Sequence, residues 1–155
     1  CGKWLKRKGK RLQKSLSGRL QAKNNMLKIY DIIQCGQQET KELTAQWREN
    51  GIGGVINVAW NVDISYDPWL PVLRHPTWDE QSPTQEWWRP IFAFYDWART
   101  QGKVIVHCQA GGNRSKGVAA TLLVGRHGKT AQQALDIIGI PGHSAWIRAV
   151  HEYKG

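Results

Sequence analysis

The segment that most constrains this chain runs from Lys103 through Val104, Ile105, Val106 and His107 into Cys108, then on to Arg114 and Ser115. The β-branched run at 103–107 predicts a strand buried on both faces. It passes directly into a cysteine, a five-residue loop (Gln109, Ala110, Gly111, Gly112, Asn113) and an arginine ahead of a helix over 115–127. Backbone N–H groups of such a loop and of the first helical turn converge into a concave anion site. Gly111 and Gly112 permit backbone angles that a side chain forbids. Arg114 adds a planar, two-pronged donor for phosphate oxygens. The same positive field stabilises a thiolate at the floor of the loop, where Cys108 stands. An inert core cysteine needs neither a glycine loop nor an arginine at the helix start.

The rest of the chain alternates strands with helices. From Met26, residues 27–34 are β-branched and aromatic-rich and predict one strand. Residues 39–50 predict a helix with Leu43 and Trp47 on one face and Gly51 as its stop. The apolar run 53–59 predicts a second strand buried on both faces. Residues 60–69 are irregular, 70–74 predict a short strand, and 76–83 a loop bounded by Pro76 and Pro83. Over 84–101 Trp88, Ile91, Phe92, Tyr95 and Ala98 share a helical face, with Pro90 as a kink or as the true start. Thr130 and Gln133 form a capping box for a helix over 131–138, and a last helix covers 143–153. This order predicts an α/β fold of three layers: a central, mainly parallel twisted sheet of about four to five strands flanked by helices.

At 155 residues, 41% apolar and 22% charged, the chain is one domain with a substantial core, which excludes disordered and fibrous classes. No apolar run approaches the ~18–20 residues of a membrane span, and the first residues lack the pattern of a secretory signal. The three cysteines, Cys1, Cys35 and Cys108, are too few and scattered for a disulfide framework or a zinc site, so a reducing, cytoplasmic setting is expected. Charge is uneven. Residues 1–25 carry nine of the 22 basic residues and no acid, which places nine of the ten net positive charges there. They read as a flexible or incidental basic arm on a domain over 26–155. Leu12, Leu16 and Leu20 allow a short amphipathic helix; contact with an RNA or DNA backbone or an anionic membrane surface is its functional reading, set against a merely solvated tail. Met26 is the only methionine, so translation starting there is an alternative.

His107, Cys108, Arg114 and Ser115 fit, residue for residue, the His-Cys-x5-Arg-Ser/Thr signature of the cysteine-dependent protein phosphatase superfamily. Ala110-Gly111 and Asn113-Arg114-Ser115 most resemble its compact dual-specificity branch. Residues 32–59 resemble that family's opening strand, helix and strand, and the likeness covers roughly 28–153. It implies a protein-tyrosine-phosphatase-like fold, with Cys108 as nucleophile, a phosphocysteine intermediate, and phosphate held by Arg114 and the loop Cys108 to Asn113. An acid must protonate the leaving oxygen. The family's aspartate lies about thirty residues ahead of the cysteine, and Asp79 lies 29 ahead. Asp67, 41 ahead, is the runner-up, and Glu80 is a neighbour. By the same resemblance Ser115 assists turnover of the phosphocysteine and His107 hydrogen-bonds the loop, a role compatible with simple packing at the strand end. Positive charge is built into the loop, so no metal or cofactor is called for.

The implied substrates are phosphorylated proteins, with a shallow pocket open to phosphoserine, phosphothreonine and phosphotyrosine, acted on by a monomer. Inositol lipids are disfavoured because the loop has no basic residue besides Arg114. Lys116 departs from the small or apolar residue usual there and points to solvent or to the pocket mouth. Two readings compete: an RNA 5′-phosphatase, motivated by the basic arm, and a non-catalytic phosphate-binding pseudophosphatase, against which the joint presence of Cys108, Arg114 and Asp79 argues. Sulfur-transfer domains have no need of Arg114. Trp47, Trp87, Trp88, Trp97 and Trp146 are expected within helices, in or half in the core, while Trp78 lines the pocket or moves with the acid loop. Cys35 reads as a buried thiol at a strand end, and His127, His143 and His151 as surface or cap residues.

Overall fold

The computed structural model describes residues 26–61, 64–78, 81–142 and 144–155. The basic arm at 1–25 and His143 lie outside the described residues. Five strands form one sheet in the order β1-β2-β5-β3-β4. They are β1 (Leu27–Ile29), β2 (Ile32–Cys35), β3 (Ile52–Ala59), β4 (Val72–Thr77) and β5 (Lys103–His107). β1 is antiparallel to β2, and every other pair is parallel. The helices are α1 (Gln37–Ala45), α2 (Trp88–Ala98, entered through a 3-10 turn at Gln85–Trp87), α3 (Arg114–Arg126), α4 (Ala131–Ile138) and α5 (Ala145–Glu152).

The sheet's alternation sorts the core into two layers. Ile32, Val104, Val106, Ile56 and Val58 face the larger one, formed with α2, α3, α4 and α5 around Trp88, Tyr95, Leu122 and Trp146. Ile33, Cys35, Ile105 and Val55 face the smaller one with Leu43, Trp47 and Leu70. The three-layer α/β architecture and the mainly parallel sheet are therefore as expected. All eight residues of β3 are buried, as a strand covered on both faces requires. α3 is buried along nearly its whole length because it lies between sheet and outer helices. Gly117 lets Trp146 pack there, since a Cβ would stand 2.4 Å from the indole Cε3.

Several boundaries differ from the sequence reading. The strand expected over 27–34 is a hairpin, β1 and β2, turning at Tyr30 and Asp31 with Tyr30 at φ 55°. No glycine marks that turn, and distant groups hold it. Tyr95 Oη and Arg99 Nε donate to the Asp31 carboxylate, the latter at 2.8 Å, and His127 stacks on the Tyr30 ring at 4.2 Å. His127 is thus a packed residue at the C-cap of α3 rather than a surface one. The helix expected over 39–50 ends at Ala45, because Trp47 folds against the sheet and donates to Asp67 Oδ2 at 3.0 Å. β4 reaches Thr77 and includes Pro76, which the loop expectation had excluded. It is an edge strand, where a missing N–H is tolerated. Pro90 falls in the first turn of α2, where its absent donor has no helical partner in any case. Trp97 is 48% exposed, half in the core. The capping box at Thr130 and Gln133 is as expected.

Candidate active site

β5 carries His107 to the carboxyl edge of the sheet, and the chain leaves the sheet at Cys108. Gln109 to Asn113 make the loop, and α3 begins at Arg114. The loop leans on the end of β2 and the start of α1. Gln37 N donates to Gln109 O at 2.9 Å. Gly111 has φ 81°, and a Cβ there would meet Gly36 N at 2.9 Å, so both its angle and the close approach demand glycine.

Cys108 is 2% exposed, and its Sγ lies 3.3 Å from Ser115 Oγ. Arg114 is 6% exposed. Its Nη1 donates to Asn61 Oδ1 and to the Thr77 carbonyl, each at 3.3 Å. Asn61 Nδ2 in turn donates to Gln109 Oε1 at 2.8 Å. The segments after β3 and at the end of β4 thereby hold the arginine and the loop in one arrangement. Trp60 and Trp78, each next in sequence to one of these anchors, contact each other at 4.6 Å between rings and are exposed beside the loop.

His107 sits beneath the loop. Its Nδ1 donates to the Cys108 carbonyl at 3.0 Å, since a carbonyl can only accept. Nε2 of the neutral ring then accepts from Tyr66 Oη at 2.7 Å. Burial pushes the imidazole from its ordinary value of 6.5 down to about 4. Between those values the unfolded chain binds a proton and the folded chain does not. Stability is therefore expected to fall as pH drops from about 6.5 toward about 4, and to be indifferent to this residue above that window. Urea unfolding at pH 7 and pH 5 checks this: a His107→Asn variant should lose less stability on acidification than the wild type, and an equal loss would contradict it.

The structure thus brings together Cys108, Arg114, Ser115, His107 and the loop. Asp79 and Glu80 lie outside the described residues. Asp67, the alternative acid, is engaged elsewhere. The Trp69 amide and Trp47 indole hydrogen bonds hold its carboxyl below the usual carboxylate range, which is the wrong direction for a proton donor. Lys116 donates to the Gly139 carbonyl at the end of α4 at 3.2 Å, a solvent-exposed hydrogen bond. Cys35 is buried at the end of β2 as expected, and burial pushes its thiol up to about 12. Sequence reasoning missed Asn61, Thr77, Tyr66 and Gln34. Only Gln34 had a signal, as an amide inside the apolar run 32–35.

A mostly parallel sheet whose buried strand delivers a cysteine loop to a helix start defines a protein-tyrosine-phosphatase-like domain. Comparison agrees. The family model for the dual specificity phosphatase catalytic domain matches residues 33–151. Mouse protein phosphatase Slingshot homolog 3 is 24% identical over 83% of this chain, and the chain spans 21% of that relative's length. Human DUSP28 has a similar structure, with TM-score 0.71 and 16% identity over 83% of this chain and 90% of that one. TpbA of P. aeruginosa, crystallised in a cysteine-to-serine form with phosphotyrosine, gives TM-score 0.67 and 17% identity over 85% and 86%. The chain belongs to the dual specificity phosphatase catalytic-domain family, whose members are cysteine-dependent phosphatases. Among the described residues no helix is long and apolar enough to cross a membrane.

Proposed function

We propose that this domain hydrolyses phosphomonoesters of serine, threonine and tyrosine in proteins through a phosphocysteine on Cys108. The observation that carries the reading is the meeting of Cys108 Sγ, Ser115 Oγ and the anchored Arg114 at the mouth of one loop. In this reading the loop amides and Arg114 hold the phosphoryl oxygens, where charge must be stabilised. The Cys108 thiolate attacks phosphorus, a sulfur–phosphorus bond forms and the bond to the ester oxygen breaks. Asp79 gives its proton to that leaving oxygen. Water then attacks phosphorus, Asp79 takes up the water's proton, and sulfur leaves as thiolate beside the Ser115 hydroxyl. His107, neutral and hydrogen-bonded at both nitrogens, orients the Cys108 carbonyl and transfers no proton. Phosphotyrosine in TpbA, a protein of similar fold, supports an aromatic phosphoester as one substrate.

Phosphate release from matched phosphotyrosine, phosphoserine and phosphothreonine peptides tests the proposal, with triphosphorylated RNA as the competing substrate. Preference for the RNA would replace the protein reading. The acid is tested separately. Asp79→Asn is expected to slow hydrolysis of phenyl phosphate by roughly 10²–10³-fold, within the range of general acid catalysis. It should slow p-nitrophenyl phosphate far less, because that oxygen leaves without a proton. Equal slowing of both substrates would remove Asp79 from the role.

A further inference from the structure

We propose that Gln34 is a positioning residue that directs the Ser115 hydroxyl proton onto the Cys108 sulfur as phosphocysteine breaks down. The inference rests on the phosphocysteine reading above. Gln34 lies on β2, 1% exposed, on the face that meets α3. Its Nε2 is 3.0 Å from the Gly111 carbonyl and 2.8 Å from Ser115 Oγ. A carbonyl only accepts, so the atom facing Gly111 must be the amide nitrogen, which fixes the orientation of the amide. That nitrogen has two hydrogens. One goes to Gly111, and the other goes to Ser115 Oγ.

Ser115 is therefore an acceptor toward Gln34, and its own proton must point elsewhere. Two acceptors are in reach: Cys108 Sγ at 3.3 Å and the Cys35 carbonyl at 3.4 Å. The choice between them follows the state of the sulfur. While sulfur is bonded to phosphorus it carries no negative charge, and the carbonyl is the better acceptor. As the sulfur–phosphorus bond breaks, charge returns to sulfur and the hydroxyl hydrogen swings to it, where a charge-assisted bond is stronger. Only a rotation about the Ser115 C–O bond is needed, and no covalent bond is made. Gln34 holds the oxygen still while the hydrogen turns. An apolar residue in its place leaves the oxygen unanchored and lets the proton point at any neighbour.

The test separates breakdown of the intermediate from its formation. With p-nitrophenyl phosphate, kcat/KM reports attack and burst amplitude reports accumulated phosphocysteine. Gln34→Met is expected to slow breakdown about tenfold, the effect of about 1.4 kcal/mol, with kcat/KM nearly unchanged and a larger burst. In a Ser115→Ala background the same change should add nothing, since the relay is already gone. An equal slowing in both backgrounds, or a parallel fall in kcat/KM, would overturn the proposal. If Gln34→Met does not fold, Gln34→Glu keeps the size of the side chain. Its carboxylate accepts the serine proton and should slow breakdown at neutral pH, with recovery at acid pH as it protonates. Absence of that recovery overturns the proposal equally. Acid-quenched wild type that never contains phosphate bound to Cys108 defeats the phosphocysteine reading itself, whereas trapped phosphocysteine with no Gln34 effect defeats only this inference.

Discussion

Replacing Cys108 with serine is expected to abolish phosphate release from an aryl phosphate and to leave phosphate binding intact. The loss should be on the order of 10⁴-fold or more, the scale seen when a covalent nucleophile is removed. A hydroxyl at that position is the wrong nucleophile because an alcohol ionises far less readily than a thiol and the loop supplies no base to take its proton. The ring His107 cannot serve, since both of its nitrogens are engaged beneath the loop. Binding should survive because Arg114, Asn61 and the loop backbone are untouched by the exchange of one atom. Metal-free assay of both proteins, with phosphate titration of the variant, measures the two quantities together. A serine variant that turns over like wild type would rule out covalent catalysis at Cys108.

Arg114→Lys should have the second-largest effect, a fall in kcat/KM on the order of 10²–10³-fold, comparable to removing one preorganised donor from an oxyanion site. Charge is conserved in this exchange, so the loss isolates geometry. A guanidinium grips two phosphate oxygens in one plane, while an ammonium is a point charge on a flexible stem. The lysine would also lose the shared Nη1 contact to Asn61 Oδ1 and the Thr77 carbonyl, each at 3.3 Å, which ties two separate loops to the helix start. Steady-state kinetics on one aryl phosphate and one phosphopeptide decide the matter. A lysine variant within a few-fold of wild type would mean that net charge alone holds the phosphate.

Much of this site was legible in the chain because its constraints are local. The run from His107 to Ser115 contains its own strand end, its own left-handed glycine at Gly111 and its own helix start. Spacing within nine residues is enough to bring a sulfur and a guanidinium to one cradle, whatever surrounds them. The alternating and continuous apolar runs likewise carry the order of strands and helices, since burial on one or two faces writes itself into side-chain periodicity.

Of the groups that steady the cradle, only Gln34 left a trace in the sequence, and the partners of none of them were legible. Gln34 reaches Gly111 and Ser115, and Asn61 reaches Arg114. The Thr77 contact is through a carbonyl, which every residue has. The hairpin at Tyr30 and Asp31 has no glycine and is held by Tyr95, Arg99 and His127 from other elements. Asp67 read as an acid by spacing, yet the fold spends its lone pairs on Trp47 and Trp69. By itself the sequence determined the α/β class and the cysteine loop between strand and helix, because backbone angles, periodicity and short spacing act over a few residues. Only the tertiary structure decided which distant amides and carbonyls orient that loop, because hydrogen-bond partners far apart in the chain are chosen by packing.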